Sequence, residues 1–272
     1  MPYIRTLTEN DWNEFNILEI DAFPNDPNEK DVFVQWITRD GFFGLFNDQN
    51  ILVGYLYCAI YSEYAHLHRI GVLSTERGKG YGSMLFEKAI SYFEEHQHPK
   101  FNLFVESHNS VAISLYKKYG LEIIFEAWHF IINLDMHKSV AGPLLTDISS
   151  REITIDDFNK IKNAFPKADL TELQGMLEEA NSKGSTNKYL GMFYKSNLSA
   201  IARFNKKFSG CRPFFISDIS FFDSFLDQLL KMRDPDKEYI RITFDDNDKL
   251  AELCKKRNYS VHHHLFKMAR KI

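Results

Sequence analysis

A glycine-rich turn between a strand and a helix constrains the fold of this chain more than any other feature. The turn reads Arg77-Gly78-Lys79-Gly80-Tyr81-Gly82. Glycines at alternate positions let the backbone approach a ligand closely and adopt angles that other residues avoid. The N–H groups of the following helix's first turn point into the same space, as does the positive end of the helix dipole. These properties predict a pyrophosphate site, with Arg77 and Lys79 adding positive charge.

The position of the turn along the chain separates two interpretations of it. Strand and helix patterns follow one another as β-α-α-β-β-β-α-β-α-β and end near Leu134. A dinucleotide-binding unit of the Rossmann type would place a glycine-rich loop after its first strand, with an acidic residue ending the next strand. Here the loop follows the fourth strand of a meander, which argues against that type.

Two motifs in this region resemble those of the GNAT acetyltransferase superfamily. The family's pyrophosphate loop reads Gln/Arg-x-x-Gly-x-Gly/Ala, and Arg77, Gly80 and Gly82 stand at its fixed positions. A second signature, a strand followed by N-x-x-A-x-x-L-Y-x-x-x-G, is matched by Asn109, Ala112, Leu115, Tyr116 and Gly120. The resemblance covers the whole N-terminal half.

The resemblance implies that acetyl-CoA is the co-substrate. The pantetheine arm is then expected between splayed fourth and fifth strands, where it pairs with backbone groups like an added strand. Asn109 would bond an amide of the arm. The cofactor-binding residues implied in this way are Ile70, Gly71, Val72, Arg77, Gly78, Lys79, Gly80, Tyr81, Gly82, Ser83 and Asn109.

Direct transfer to an amine also needs an acid, an oxyanion site and a base. Tyr116 is the candidate acid for the departing thiolate, against the alternative of a core tyrosine. The backbone N–H of Val72 would polarise the thioester carbonyl. His66 and His68 are the candidate bases, and strand alternation predicts one face for His66, His68, Ile70 and Val72. Both histidines could instead be ordinary surface or core groups, and Glu106 is a further candidate.

Matching features at a nearly constant offset predict an internal duplication. Phe23-Pro24 and Phe165-Pro166 each follow a first helix, and Asn109 and Leu115 recur as Asn247 and Leu253. We therefore expect an α/β (α+β) fold with two tandem GNAT-like domains, each a mixed, mainly antiparallel sheet flanked by helices. The predicted limits are a catalytic domain over 1–137, a linker over 138–150, and a degenerate domain over 151–272.

The second half lacks the features that would bind a coenzyme. Residues 214–221, which correspond to the glycine-rich turn, contain no glycine and no basic residue but do contain Asp218. Cys254 replaces Tyr116, and Asn258 replaces Gly120. We expect this half to be structural or to form one wall of the acceptor pocket.

Bulk properties limit partners and location. The net charge is −4 without a basic block, so no nucleic-acid surface is expected. The three cysteines are far apart, no signal-like or membrane-length apolar run occurs, and a cytoplasmic location is expected. The run His262-His263-His264 is interpreted as a polar strand and Cys254 as a buried thiol, so no metal site is predicted.

The sequence therefore predicts an acetyl-CoA-dependent N-acetyltransferase that acts on a small-molecule or protein amine. The acceptor is left open, although Trp36 and Trp128 are candidate pocket aromatics, and so is the oligomeric state. The alternative is a non-catalytic acyl-CoA-binding or regulatory module. A third interpretation, a tandem GNAT-like protein with aminoacyl-tRNA as donor, would need a basic face.

Overall fold

Packing divides the chain into two compact units. The computed structural model describes residues 1–61, 64–166, 168, 170, 173–180, 187–205 and 210–270. Unit 1 contains residues 1–124 together with 266–272, and unit 2 contains residues 125–265. The predicted fold class, a mixed and mainly antiparallel α/β structure, is confirmed.

Unit 1 contains five complete strands and four helices among its described residues. The strands are β1 (Tyr3–Thr6), β2 (Phe42–Phe46), β3 (Leu52–Ile60), β4 (Ala65–Val72) and β5 (Phe101–Glu106). The helices are α1 (Trp12–Ala22), α2 (Lys30–Ile37), α3 (Tyr81–Glu95) and α4 (Ser110–Lys118). The strands lie in the order β1-β2-β3-β4-β5, and only the β4–β5 pair is parallel.

Helices cover both faces of this sheet. Phe15 of α1 and Phe33 of α2 belong to the core on one face, and Leu85 of α3 and Tyr116 of α4 belong to the core on the other. Because neither face meets water, β2 and most of β3 are buried continuously instead of alternating between buried and exposed residues.

A charged clamp fixes the turn from β1 into α1. Arg5 donates from both terminal nitrogens to the carboxylate of Asp11, at 2.8 and 2.7 Å. The same carboxylate accepts from the backbone N–H and the hydroxyl of Thr8, which completes a capping box.

Unit 2 repeats this order of elements. The strand β6 (Leu121–Asn133) begins in unit 1 and continues in unit 2. The next elements are α5 (Leu134–Val140), β7 (Ile148–Glu152), α6 (Phe158–Ala164), α7 (Leu173–Ala180), β8 (Asn187–Tyr194) and β9 (Asn197–Asn205). The last are β10 (Gly210–Cys211), β11 (Phe214–Ile216), α8 (Phe222–Met232), β12 (Tyr239–Asp245), α9 (Asp248–Lys256) and β13 (Ser260–Arg270). Its strands lie in the order β6-β12-β10-β9-β8-β7, with β11 beside β9.

The compact units differ in extent from the domain limits predicted from the sequence. Unit 2 begins within β6, and residues 266–270 of β13 belong to unit 1, where Met268 is completely buried in the core of α3 and β5. Each unit therefore includes a strand segment that lies beyond its own predicted stretch of sequence. The division into a catalytic and a degenerate domain stays a prediction.

The segment predicted as a linker, residues 138–150, is bound to unit 2. The helix α5 runs into it, the Gly142 N–H donates to Asp223 at 2.9 Å, and the Leu145 N–H donates to the Ser224 hydroxyl at 2.8 Å. The strand β7 begins at Ile148.

Candidate active site

The glycine-rich turn connects β4 to α3 through two left-handed residues. Gly78 and Gly80 have φ angles of +80° and +84°, a region that is strained for residues with a Cβ. At both positions, no heavy atom of the described residues, apart from the glycine and its two chain neighbours, lies within 4 Å of the place a Cβ would occupy. A ligand can therefore approach the backbone of the turn directly.

The N-terminus of α3 carries no acceptor from a side chain. Gly80 is the capping residue, and the first turn of the helix contains no acidic residue. The first intrahelical bond found here runs from the Met84 N–H to the Gly80 carbonyl, at 3.1 Å. The N–H groups of Tyr81, Gly82 and Ser83 precede it, so they have no intrahelical acceptor. Three donors and the positive end of a 15-residue helix therefore meet at the turn.

The two basic residues of the turn are both exposed. The Lys79 ammonium lies 2.8 Å from the Glu76 carboxylate, and this hydrogen bond raises the pKa of the lysine. The Arg77 Nε donates to the Val72 carbonyl at 3.2 Å, which ties the turn to the end of β4. A role of either cation in binding a phosphate stays a prediction.

The strands β4 and β5 diverge after three paired residues. Their register runs from Ala65 opposite Phe101 to Leu67 opposite Leu103, although β4 continues to Val72. On the other side of β4, the Leu73 N–H donates to the Val53 carbonyl. Antiparallel ladders alternate in direction, so the peptide groups of Ile70 and Val72 turn away from β3 and towards the widening gap.

A β-bulge in β4 changes which of its residues share a face of the sheet. The register shifts between Arg69 opposite Tyr57 and Leu67 opposite Cys58, so His68 has no partner in the ladder. Leu67 and Ile70 therefore both belong to the α3 core. The prediction that Ile70 and Val72 share a face with His66 and His68 is wrong, because the extra residue reverses the alternation.

His66 and His68 lie together on the face opposite the α3 core. Their rings are 4.6 Å apart in an edge-to-face arrangement. The His66 Nδ1 lies 2.5 Å from the Asn102 Oδ1 on β5. His68 reaches the surface, stacks on Tyr57 with ring centroids 5.1 Å apart, and has its Nε2 2.8 Å from the Tyr61 hydroxyl.

The surroundings of His68, including the guanidinium of Arg39, determine its charge state. Desolvation and the positive charge of Arg39 lower the pKa of His68 to about 4. The imidazole is therefore neutral near pH 7. With this low pKa it is a weak base, which takes a proton from an ammonium group only with difficulty. Arg69, the next residue, is held on the α1 side by an ion pair of 2.9 Å with the fully buried Glu19.

Tyr116 lies in α4, and Asn109 immediately precedes that helix. Tyr116 is buried, its ring lies 5.0 Å from that of Phe86, and desolvation raises the pKa of its phenol. Asn109 is exposed and caps the helix, because its Oδ1 accepts from the Ala112 N–H at 3.1 Å. Capping occupies the amide oxygen and leaves the NH₂ group as a potential donor to a ligand.

Asn102 is the polar neighbour that the sequence interpretation missed. The residues Phe101, Leu103 and Val105 are buried, so the alternation of β5 places Asn102 and Phe104 on the opposite face. That signal was available in the sequence. The register that puts Asn102 opposite His66 was not, because it depends on how two separate strands align.

The remaining candidates lie in other surroundings. Glu106 is 3.8 Å from the His108 Nδ1. Trp36 stacks on Tyr57 at 4.4 Å, beside His68. In unit 2, Trp128 stacks on His264 at 3.6 Å, and the His264 Nε2 lies 2.8 Å from a Glu126 carboxylate oxygen.

Three further findings concern ligands and membranes. Within the described ranges, no group of three or more His, Cys, Asp or Glu side chains could hold a metal ion. Cys254 is a buried free thiol, and burial raises its pKa to about 12. Among the described helices, none is long and apolar enough to cross a membrane.

Known proteins share the fold of the whole chain. The GCN5-related N-acetyltransferase of Sphaerobacter thermophilus is 11% identical, with 99% of this chain and 95% of that chain covered at a TM-score of 0.73. A putative acetyltransferase of Pyrococcus horikoshii is 14% identical, with 100% and 89% covered at 0.65. A GCN5-related N-acetyltransferase of Anabaena variabilis is 12% identical, with 99% of this chain and 72% of that chain covered at a TM-score of 0.57. No curated protein shows a significant match.

The sequence of the N-terminal half matches a known family directly. The matched stretch is residues 6–121, and the family is described as the acetyltransferase (GNAT) family. It includes the glycine-rich turn, both strands that diverge beside it, and the helix that carries Tyr116. Residues 6–121 of this chain, somewhat less than half of its length, are therefore similar to the acetyltransferase (GNAT) family.

Proposed function

We propose that this protein is an N-acetyltransferase that transfers the acetyl group of acetyl-CoA directly to an amine in a ternary complex. The observation that carries the proposal is the turn with two left-handed glycines in front of an uncapped helix. Such a turn presents several N–H donors and the helix dipole to one anion, which suits the pyrophosphate of coenzyme A.

The pantetheine arm would lie along β4, in the gap that opens beyond Leu67 and Leu103. The outward peptide groups of Ile70 and Val72 are suited to pair with its amides, as an added strand pairs with a sheet edge. Gly71 lies between them, packed against Ala22 and Phe23. Asn109 would donate its side-chain NH₂ to a carbonyl of the arm.

The amine nitrogen attacks the thioester carbon, and the C–S bond breaks when the tetrahedral intermediate collapses. The Val72 N–H would stabilise the negative charge on the oxygen. Tyr116 would give its phenolic proton to the departing thiolate. Burial raises the pKa of this phenol, so it stays protonated across the physiological range. His66 and His68 are the two candidate bases, and the low pKa of His68 makes it a weak proton acceptor.

We propose only one donor site in the chain. In unit 2, the segment before α8 begins with Asp218, whose carboxylate accepts from the Ser220 N–H at 2.9 Å. A fixed negative charge at this helix start repels a phosphate instead of binding it. The second unit would then have a structural role and no coenzyme site.

The acceptor is proposed to be a small-molecule or protein amine, and the protein is proposed to act in the cytoplasm without nucleic acid or metal. The three cysteines are buried free thiols, which is consistent with a reducing compartment.

Thiol release and calorimetry test the proposal together. Acetyl-CoA is incubated with a panel of polyamines, amino acids and peptides with free N-termini, and free coenzyme A is measured. The expected results are amine-dependent thiol release and one coenzyme A bound per chain. Binding without release over the whole panel would favour the non-catalytic acyl-CoA module. Two equivalent sites per chain would contradict the single donor site.

A further inference from the structure

We propose that Asp21 is a positioning residue for the donor site, because it holds the segment that joins the two parts of that site. The inference rests on the proposed transfer from acetyl-CoA and adds to it a residue outside the glycine-rich turn. The contacts that carry it are two hydrogen bonds from Ser74 to the Asp21 carboxylate. The Ser74 N–H donates to Oδ2 at 2.6 Å, and the Ser74 hydroxyl donates to Oδ1 at 2.7 Å.

Ser74 lies between the two places where the coenzyme is proposed to bind. It follows the end of β4 and begins a short 3-10 turn, Ser74–Glu76, which leads directly to Arg77 and the glycine-rich turn. The pantetheine arm is proposed to pair before this segment, at Val72, and the pyrophosphate after it, at the start of α3. Both belong to one molecule of limited reach, so the segment between the two subsites decides how well they are occupied together.

This segment takes its acceptor from another part of the chain. The first N–H groups of a helical turn have no acceptor within the turn, and a polar side chain at the capping position satisfies one of them in many helices. Here Leu73 is the capping residue, and it has no side-chain acceptor. Asp21 of α1 replaces the missing cap, because one of its oxygens accepts the Ser74 N–H and the other accepts the hydroxyl.

The helix that presents Asp21 is itself fixed on β4. The preceding acidic residue of α1, Glu19, is completely buried, and its carboxylate lies 2.9 Å from the guanidinium of Arg69. Directly after Asp21, Ala22 packs on the backbone of Gly71, where a Cβ would meet it at 3.1 Å. The end of α1 therefore contacts both the last part of β4 and the segment that follows it. A side chain on such a packed helix holds its partner more precisely than one on a loop.

The charge of Asp21 is used within the protein. A carboxylate near a proposed phosphate site would by itself repel the ligand. Hydrogen bonds from Ser74 and the positive charge of Arg77 lower the pKa of Asp21, so it is ionised near pH 7 and accepts with both oxygens. Removing the hydrogen bonds is therefore expected to weaken coenzyme binding, and removing the charge alone is expected to change it little.

Binding of the whole coenzyme is compared with binding of its two halves in the variant Asp21→Ala. Calorimetry measures coenzyme A, and NMR titrations measure ADP and acetyl-pantetheine separately. The variant should bind coenzyme A about tenfold more weakly, the order of effect of losing a hydrogen bond to a charged group. Each half alone should bind within about twofold of its affinity for the unsubstituted protein, because it needs only one subsite.

Two results of this comparison would overturn the inference. Unchanged binding of coenzyme A would show that the segment keeps its place without Asp21. Equal weakening of coenzyme A and of either half would show that Asp21 acts on one subsite and not on their separation. The matched control is Asp48→Ala, which removes an exposed carboxylate between β2 and β3 and should leave coenzyme binding unchanged.

The conservative variant Asp21→Asn separates the hydrogen bonds from the charge. Its amide oxygen accepts the Ser74 N–H and its NH₂ group donates to the Ser74 hydroxyl, so coenzyme A should bind within about threefold of the unsubstituted protein. Binding as weak as in Asp21→Ala would contradict the role, since the charge would then be the cause.

A variant of the partner residue covers the case in which Asp21→Ala fails to fold, which thermal unfolding shows. Ser74→Ala keeps the backbone N–H and loses only the hydroxyl, so coenzyme A should bind about threefold more weakly. No loss in Ser74→Ala would then count against the inference.

Kinetics distinguish this inference from the proposed function. In the active protein, Asp21→Ala should raise KM for acetyl-CoA and leave KM for the amine unchanged. The expected binding pattern without any thiol release would count against the proposed acetyl transfer alone. Thiol release by a protein in which Asp21→Ala binds coenzyme A normally would count against the role of Asp21 alone.

Discussion

The two units use the same structural devices and differ where a coenzyme would bind. In unit 1 the Arg5–Asp11 clamp has N–O distances of 2.8 and 2.7 Å, and in unit 2 the Arg151–Asp157 clamp has two of 2.7 Å. Asn109 and Asn247 cap corresponding helices with the same distance, 3.1 Å. These shared contacts support the internal duplication predicted from the sequence.

A shared close approach adds to the likeness. A Cβ at Gly44 of β2 would meet the Leu7 side chain at 2.5 Å, and a Cβ at Gly191 of β8 would meet the Ile153 side chain at 2.4 Å. Both glycines are needed because an apolar residue after the first strand of the unit packs directly on the backbone of the next strand. The two units therefore share backbone packing as well as caps.

The difference lies at the helix that follows the fourth strand. In unit 1, α3 follows Gly80 in a left-handed conformation, with no side-chain cap and no acidic residue in its first turn. In unit 2, the carboxylate of Asp218 caps the short 3-10 turn Ile219–Phe221 that leads into α8, and Asp223 lies in the first turn of α8 itself. An intramolecular cap stabilises a helix start, and an uncapped start leaves donors for a ligand. Unit 1 thus lacks local stabilisation at the place where it is proposed to bind acetyl-CoA.

The largest effect is expected from removing the contribution of the C-terminal strand to unit 1. Met268 is completely buried in the core formed with α3 and β5. The substitution Met268→Ala should lower the free energy of unfolding by about 2–5 kcal/mol, measured by urea denaturation. The matched control is Met136→Ala, since Met136 is exposed. Equal losses in the two variants would show that the strand does not complete the core of unit 1.

Converting the donor helix to the acidic character of its counterpart should weaken coenzyme binding. Gly82 lies in the first turn of α3, and a Cβ there would meet only Leu115, at 3.6 Å, among described residues. The variant Gly82→Asp should weaken acetyl-CoA binding by about 2–3 kcal/mol, roughly 30- to 150-fold, because its charge opposes the pyrophosphate.

The control for this experiment is Gly82→Asn, which has the same size without the charge. Calorimetry should show near-normal binding for Asn and weak binding for Asp. The aspartate should at the same time stabilise the fold slightly, because an acidic residue suits a helix N-terminus. Equal acetyl-CoA binding by the two variants would contradict the proposal that the pyrophosphate binds at the N-terminus of α3.

Tyr116 and Cys254 occupy corresponding positions on α4 and α9, and only the first is expected to affect catalysis. In Tyr116→Phe, kcat for thiol release should fall about 100-fold, with KM for acetyl-CoA unchanged, because the thiolate loses its proton donor. The control, Cys254→Ala, removes a buried thiol from unit 2 and should leave kcat unchanged. A similar loss in both variants would make Tyr116 a core residue only.

Local features of the fold could be predicted from the sequence, and features that join distant segments could not. The succession of strand, glycine-rich turn and helix at β4 and α3 was predicted as observed, because strand alternation, helical spacing and the glycines specify it locally. The bulge at His68 was missed because one inserted residue leaves no mark in a short strand. The Asn102–His66 pair and the return of Met268 to unit 1 depend on pairing between distant segments.

The two charged clamps should respond differently to acid. Hydrogen bonds from Arg5 lower the pKa of Asp11, and those from Arg151, with Lys160 in addition, hold the pKa of Asp157 further below its ordinary value. A lowered carboxyl pKa contributes stability above the unfolded value of about 4, and that contribution is lost as the pH falls through the folded pKa. Asp11→Asn and Asp157→Asn should each cost about 1–2 kcal/mol at pH 7.

Urea titrations from pH 7 to pH 2 check this difference. The cost of Asp11→Asn should disappear at a higher pH than the cost of Asp157→Asn, because the first carboxylate becomes protonated earlier. If both costs disappeared at one pH, the additional cation at Asp157 would have no effect on its ionisation.

The smallest loss of stability is expected for replacing Gly120 by asparagine, the residue that stands at the corresponding position of unit 2. Gly120 ends α4 with a φ angle of +82°, and its counterpart Asn258 ends α9 with a φ angle of +57°. Asparagine is the non-glycine residue that adopts this conformation most readily, since its short polar side chain can bond locally. Gly120→Asn should therefore cost less than about 0.5 kcal/mol, whereas Gly120→Ala should cost about 1 kcal/mol. Urea denaturation of both variants measures the costs, and equal costs would mean that Asn258 persists in unit 2 for a reason other than the backbone.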